Sequence, residues 1–209
     1  MNTAALALYA RARGLTWVVP TTVLAVAGAA YFASWLLARP AFGPMERVPA
    51  SVLGALAVAV VAAPGWHRVD DEVEGSVPRP RRRTELLLTL ALVTAAAGLA
   101  VIAVPDHPSM RGGAELARNI LGLSGLALVA GAVLGARLAW VLPFAWAAGS
   151  YFAVTRAYAE QPGHAWVGWL MFPATYPATW VVAGGLLTAG LAAYAWGGFV
   201  PLPRRHPRR

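Results

Sequence analysis

The 209-residue chain is 58% hydrophobic and 12% charged, with a mean hydropathy of +0.57 and a formal net charge of +8. Soluble domains carry roughly a quarter charged residues; here long, nearly charge-free runs account for the deficit, which excludes an ordinary soluble fold and points to an all-α, polytopic membrane protein. A transmembrane barrel would alternate over segments of about ten residues, and these runs are continuous.

Residues 1–14 carry Arg11 and Arg13 ahead of a long apolar run, in the manner of a signal peptide, and Ala27-Gly28-Ala29 offers a small-x-small cleavage site. The apolar stretch continues through Tyr31, Phe32, Trp35, Leu36 and Leu37, longer than a signal core, so an uncleaved first span over about 15–38 is expected. The segment before it, with Leu6, Leu8 and Tyr9, suits a short surface helix. After a loop with two prolines and the Glu46–Arg47 pair, Pro49 opens a second span, 49–65. Its roughly 17 residues only just cross a bilayer at about 1.5 Å each.

Residues 66–84 form the central polar loop. Asp70, Asp71, Glu72 and Glu74 come first, and Arg79, Arg81, Arg82 and Arg83 follow after Gly-Ser-Val-Pro. The third span runs over 85–104 and turns at Pro105-Asp106-His107-Pro108. Glu115 to Arg118 opens the fourth, 116–136; the fifth, 138–157, follows with almost no loop and contains Pro143. Within 158–177 the apolar run 165–172 is too short to span and is interrupted by Pro173 and Pro177, which predicts a re-entrant or interfacial pair of short helices. The sixth span, 178–200, leads into the basic tail Arg204, Arg205, His206, Arg208, Arg209. The whole chain, 1–209, thus reads as one transmembrane domain.

Orientation follows from arginine, because cytoplasmic flanks are enriched in Lys and Arg. With the N-terminus inside, twelve of the 17 arginines fall on inner flanks and five outside (Arg39, Arg47, Arg111, Arg118 and Arg156). Six spans with both termini inside are expected, in the plasma (inner) membrane. The net positive charge invites a nucleic-acid reading, but the arginines sit at the ends of apolar runs, where they set topology.

All 17 basic residues are Arg. Without Lys there is no Walker A loop and no Schiff base; without Cys there is no disulfide or thiolate site. His107, His164, Asp106 and Glu160 fall on outer loops without ligand-like spacing and read as solvated, so no metal site is expected. Glu115–Arg118 and Arg156–Glu160 read as pairs at helix ends whose heads snorkel to the interface.

Ser124 lies in Gly122-Leu123-Ser124-Gly125, which resembles the nucleophile motif of rhomboid intramembrane serine proteases. That chemistry needs a general base within reach of the hydroxyl, and the family's sixth-span His has no match here; nor do its second-span His and Asn. Packing is the reading preferred for Ser124, which shares one helix face with Ala127, Gly131 and Gly135, since small residues let helices approach closely in lipid. No catalytic residue is assigned.

Arg79, Arg81, Arg82 and Arg83 suit a membrane surface, worth about 1 kcal/mol each near anionic lipid. The neighbouring acids Asp70, Asp71, Glu72 and Glu74 would be repelled there and suit a soluble partner's basic or helix-N-terminal surface. In layout the chain resembles the permease subunits of type-2 ABC exporters. There a surface helix precedes span one (here 1–14), a coupling helix joins spans two and three (here 66–85), and a re-entrant hairpin precedes span six (here 158–177). The Asp-Asp-Glu-Val-Glu and Pro-Arg-x-Arg-Arg loop is similar to those of small actinobacterial permeases of this kind. The resemblance implies an ABC ATPase subunit as partner, a second permease copy or paralogue, and lipid contact. It also implies no cofactor in this chain, with ATP and Mg held by the ATPase. The alternative from another class is a non-catalytic membrane scaffold or assembly protein.

Overall fold

In the computed structural model, residues 14–37, 48–62, 80–104, 112–153 and 166–197 are described. They form six α-helices: α1 (Leu15–Leu37), α2 (Val48–Ala62), α3 (Pro80–Ala103), α4 (Gly113–Leu134), α5 (Val141–Ala153) and α6 (Pro177–Gly197). A 3-10 turn, Ala136–Leu138, lies between α4 and α5. No strand occurs among the described residues. Four helices (α1, α3, α4 and α6) are long and apolar enough to cross a bilayer, which makes this an all-helical membrane protein. The helices α2 and α5, 15 and 13 residues long, fall short of that length.

Each helix occupies an apolar run read from the sequence, with shifted ends. α3 starts at Pro80, five residues before the expected Glu85, because Pro suits the first helical position. Arg81, Arg82 and Arg83 therefore stand in its first turn instead of in a loop. Pro143, expected inside the fifth span, is in the first turn of α5, where its missing N–H leaves no intrahelical bond unmade.

α4 is the axis of the molecule. Of its apolar window 78% is buried, against 22% for α1, 28% for α3 and 17% for α6. It packs against α2, α3, α5 and α6, while α1 packs on α2 and α3. The apolar core gathers along it, from Leu116, Ile120 and Leu123 to Val58 on α2, Val93 on α3 and Ala183 on α6.

Glycine permits the closest approaches. A Cβ on Gly125 of α4 would meet the backbone of Leu186 and lie 2.5 Å from Leu187 N; one on Gly190 of α6 would lie 3.0 Å from Gly125 Cα. A Cβ on Gly113 would lie 2.6 Å from Val101 Cα, at the α3–α4 turn. Beyond α4, Gly135 adopts φ 86°, where a side chain would be strained, and turns the chain toward α5. The order of these contacts fixes direction. Arg118 faces Thr179 and Gly125 faces Leu186 and Gly190, so α4 and α6 run parallel. α3 runs the opposite way to both, its end beside Gly113 and its start beside Tyr194.

Candidate functional site

The first turns of α4 carry Glu115, Arg118 and Asn119 at i, i+3 and i+4, hence on one helix face. That face meets the segment 166–176, which leads into α6. The segment is a chain of turns, with Met171 N–H donating to Gly168 O (2.8 Å) and Tyr176 N–H to Pro173 O (3.2 Å). The expected pair of short helices is absent from 166–176. Pro173 lacks an amide hydrogen, and the carbonyls that a helix would satisfy internally are bonded by side chains instead.

Arg118 supplies most of those donors. Its Nη1 donates to Phe172 O (2.8 Å) and to Thr179 Oγ1 (3.1 Å). Its Nη2 donates to Asn119 Oδ1 (2.9 Å) and Leu170 O (3.4 Å), and Asn119 Nδ2 also reaches Leu170 O (3.4 Å). Glu115 collects the opposite polarity: Ala174 N–H donates to its Oε1 and Gly112 N–H to its Oε2, both at 2.8 Å. Arg118, Asn119 and Thr179 are fully buried and Glu115 is nearly so. A burial of this kind is stable only when the polar groups find partners, because an unpaired one in apolar surroundings costs several kcal/mol. The fork of five guanidinium donors matches a turn that exposes several acceptors at once.

This corrects the expectation that Glu115 and Arg118 snorkel to the interface. Both are drawn inward because 166–176 has backbone groups for them to satisfy. Trp169 completes the contact. Its ring covers Gly122, where a Cβ would lie 2.8 Å from Cζ3, and the Arg118 guanidinium carbon is 6.0 Å from the ring centroid. Gly122 is one helical turn beyond Arg118, so the segment dips about 6 Å along α4. Trp166, Val167, Tyr176 and Trp180 remain exposed around it, and Trp180 Nε1 donates to Ala174 O (2.8 Å).

A second polar contact lies at the opposite end of α6. Tyr194 OH donates to Glu85 Oε2 at 2.6 Å, joining the end of α6 to the second turn of α3. Glu85 is buried there although it lies only two residues beyond the arginine cluster.

The other residues singled out from the sequence divide sharply. Asp70, Asp71, Glu72, Glu74 and Arg79 lie outside the described residues, as do His107, His164, Asp106, Arg156 and Glu160. Ser124, Ala127 and Gly131 are buried within α4, and Gly135 lies one residue past its end. The Ser124 hydroxyl has no hydrogen-bond partner among the described residues. No group of three or more His, Cys, Asp or Glu capable of holding a metal occurs among the described residues. Sequence reading passed over Asn119, Trp169, Thr179 and Tyr194. The signal available for the first was Arg-Asn inside an apolar helix, since an ionisable group there calls for a named partner.

Chemically, the clasp holds backbone in place; its members satisfy one another and the turns of 166–176. Comparison of the chain with protein-family models, with curated proteins and with solved structures gave no match.

Proposed function

We propose that this chain is the permease subunit of an ABC-type export system in the plasma membrane, with six spans and both termini in the cytoplasm. The observation that carries the reading is the non-helical segment 166–176, dipping alongside α4 and held by a buried arginine. Irregular backbone is tolerated at membrane depth only where protein buries it or a cavity lines it, and such segments are a feature of transporters and channels. An adaptor that merely anchors a partner has no need of one.

Six crossings are supported by direction. Since α4 and α6 run the same way, the chain must return between them, and α5 with its flanking residues is the stretch available. The exposed aromatics agree with this: Trp17 and Trp35 lie near the two ends of α1, and Trp180 and Trp196 near the two ends of α6, where interfacial belts are expected. The span from Trp180 to Trp196 is about 24 Å along a helix, against a hydrocarbon core of about 30 Å.

In this reading ATP chemistry belongs to a separately encoded ATPase, with ATP and Mg bound there, because a chain without Lys has no Walker A loop. The stretch 66–79 docks on that ATPase through Asp70, Asp71, Glu72 and Glu74, while Arg79 and, in the first turn of α3, Arg81, Arg82 and Arg83 meet anionic lipid. A second copy or a paralogue completes the translocation path. The test is co-purification of the ATPase with a chain in which the four acids are reversed to Arg. Loss of the ATPase with unchanged permease abundance is expected, since charge reversal at a buried contact costs about 2–5 kcal/mol. Equal recovery from the reversed and wild-type chains would leave the scaffold reading in its place.

A further inference from the structure

Four helices ring α4, and the ring is broken at one place. α5 packs on α2, α2 on α3 and α3 on α6, each of them also on α4, and no comparable contact joins α6 back to α5. On the open side α4 carries Gly122, Val129 and Val133, two and three helical turns apart and hence on one face. Coverage falls along this strip. Gly122 lies under the Trp169 ring, Val129 is half-buried and Val133 is 66% exposed. From Gly122 to Leu134, the last residue of α4, the strip runs for about 18 Å. One leaflet of hydrocarbon, half of the bilayer core, is about 15 Å deep. A single acyl chain therefore has the length of the strip.

A positive charge stands at the open end. Arg137, in the 3-10 turn after α4, is exposed and makes no ion pair among the described residues. Trp140, three residues further on, is also exposed and meets Phe144 edge to face, with ring centroids 6.0 Å apart. A cation, then an indole at headgroup level, then an apolar strip is the order of chemistry that a phospholipid presents in reverse.

We propose that the break between α5 and α6 holds one anionic phospholipid. Its phosphate pairs with Arg137, its acyl chain lies on Val133 and Val129, and the end of that chain stops below Trp169. The bound chain therefore abuts the segment 166–176, which Arg118 holds from the other side. With the N-terminus inside, the lipid belongs to the cytoplasmic leaflet. That assignment of leaflet rests on the proposed topology, whereas the binding itself needs only a bilayer.

The experiment uses the full chain in detergent, titrated with dioleoyl phosphatidylglycerol or dioleoyl phosphatidylcholine, with bound lipid counted by native mass spectrometry. The acyl chains are identical, so any difference reports the headgroup. One phosphatidylglycerol is expected to bind about fivefold more tightly than phosphatidylcholine, which is what one arginine contributes near an anionic surface. Arg137→Gln should erase that preference while both lipids still bind. Val133→Trp fills the strip at an exposed position and should weaken both lipids by at least about 15-fold, the equivalent of two buried CH₂ groups. Val23→Trp, at an exposed position of α1, should weaken neither. Glycerol phosphate, the headgroup chemistry without chains, should not compete at equal concentration. Equal affinity for the two lipids, or a preference that survives in Arg137→Gln, would overturn the proposal. So would equal effects of Val133→Trp and Val23→Trp, which describe a general lipid coat, or competition by glycerol phosphate, which describes a free-anion site. An inverted topology would assign the same site to the other leaflet, and loss of the lipid preference would leave the topology standing.

Discussion

Arg118 Nη1 donates to the carbonyl of Phe172 at 2.8 Å, joining positions 54 residues apart across the middle of the chain. Two helix starts, α4 and α6, and the turns before α6 converge on that guanidinium. Its removal should therefore be felt more strongly than the loss of any single surface charge.

Arg118→Leu takes the guanidinium donors from Phe172 O and Asn119 Oδ1, at about 1–3 kcal/mol for each buried group orphaned, while Leu170 O keeps Asn119 Nδ2. The expected result is a lower thermal unfolding midpoint in detergent and faster proteolysis within 166–176. Arg118→Lys should recover only part of the loss, because a single ammonium cannot reproduce the planar fork. An unfolding midpoint equal to wild type in Arg118→Leu would show that the clasp does not hold the segment.

Glycines in the same protein should respond in opposite directions. Gly125→Ala forces a Cβ into the backbone of Leu186 and Leu187, an overpacking that costs about 1–3 kcal/mol. Gly184 on α6 has nothing within 4 Å of an added Cβ, so Gly184→Ala gains helix propensity of about 0.8–1.0 kcal/mol. Unfolding midpoints of the two variants should move to opposite sides of wild type, and a shared direction would contradict the packing described here.

Ser124→Ala should fold and function as wild type does, because the hydroxyl is buried without a hydrogen-bond partner among the described residues. An unmet buried hydroxyl costs about 1–3 kcal/mol, so a slight gain in stability is expected. Gly131→Leu, at a buried position of the same helix, should disrupt packing. Loss of activity in Ser124→Ala with normal assembly would point instead to serine chemistry.

Orientation is open to direct labelling. Ser76→Cys should resist a membrane-impermeant maleimide in intact cells and Gly163→Cys should react, both positions lying outside the described residues. The reverse pattern would invert the topology.

The apolar runs were legible in sequence because a helix in lipid must be continuously hydrophobic over a length fixed by the bilayer. Hence α1 falls on its expected span to within a residue, and the small residues near Ser124 were already marked as packing positions. What the sequence concealed was pairing across long separations. Nothing local to Arg118 says that its acceptors are the carbonyls of Leu170 and Phe172, and local reading sent the side chain toward the interface. The segment 166–176 hid for a related reason. Pro173 and Pro177 announced an interruption, but the hydrogen bonds that replace a helix there come from α4, more than 50 residues earlier. Tyr194 and Glu85, 109 positions apart, were invisible on the same account.

The long reach of Arg118 bears on how the protein is made. Translation proceeds at about 5–20 residues per second, so some 3–11 seconds separate synthesis of the guanidinium from synthesis of Phe172. Within that interval α4 is completed, yet its guanidinium still lacks the backbone carbonyls of Leu170 and Phe172 that it holds in the finished fold. Its partner helix α6 does not yet exist. The most buried helix of the protein must therefore wait, at the insertion channel or at the membrane surface, for the last one to arrive. Nascent chains truncated before residue 170 should accordingly remain accessible to extraction or quality-control proteolysis, and α4 and α6 should enter their final packing as a pair.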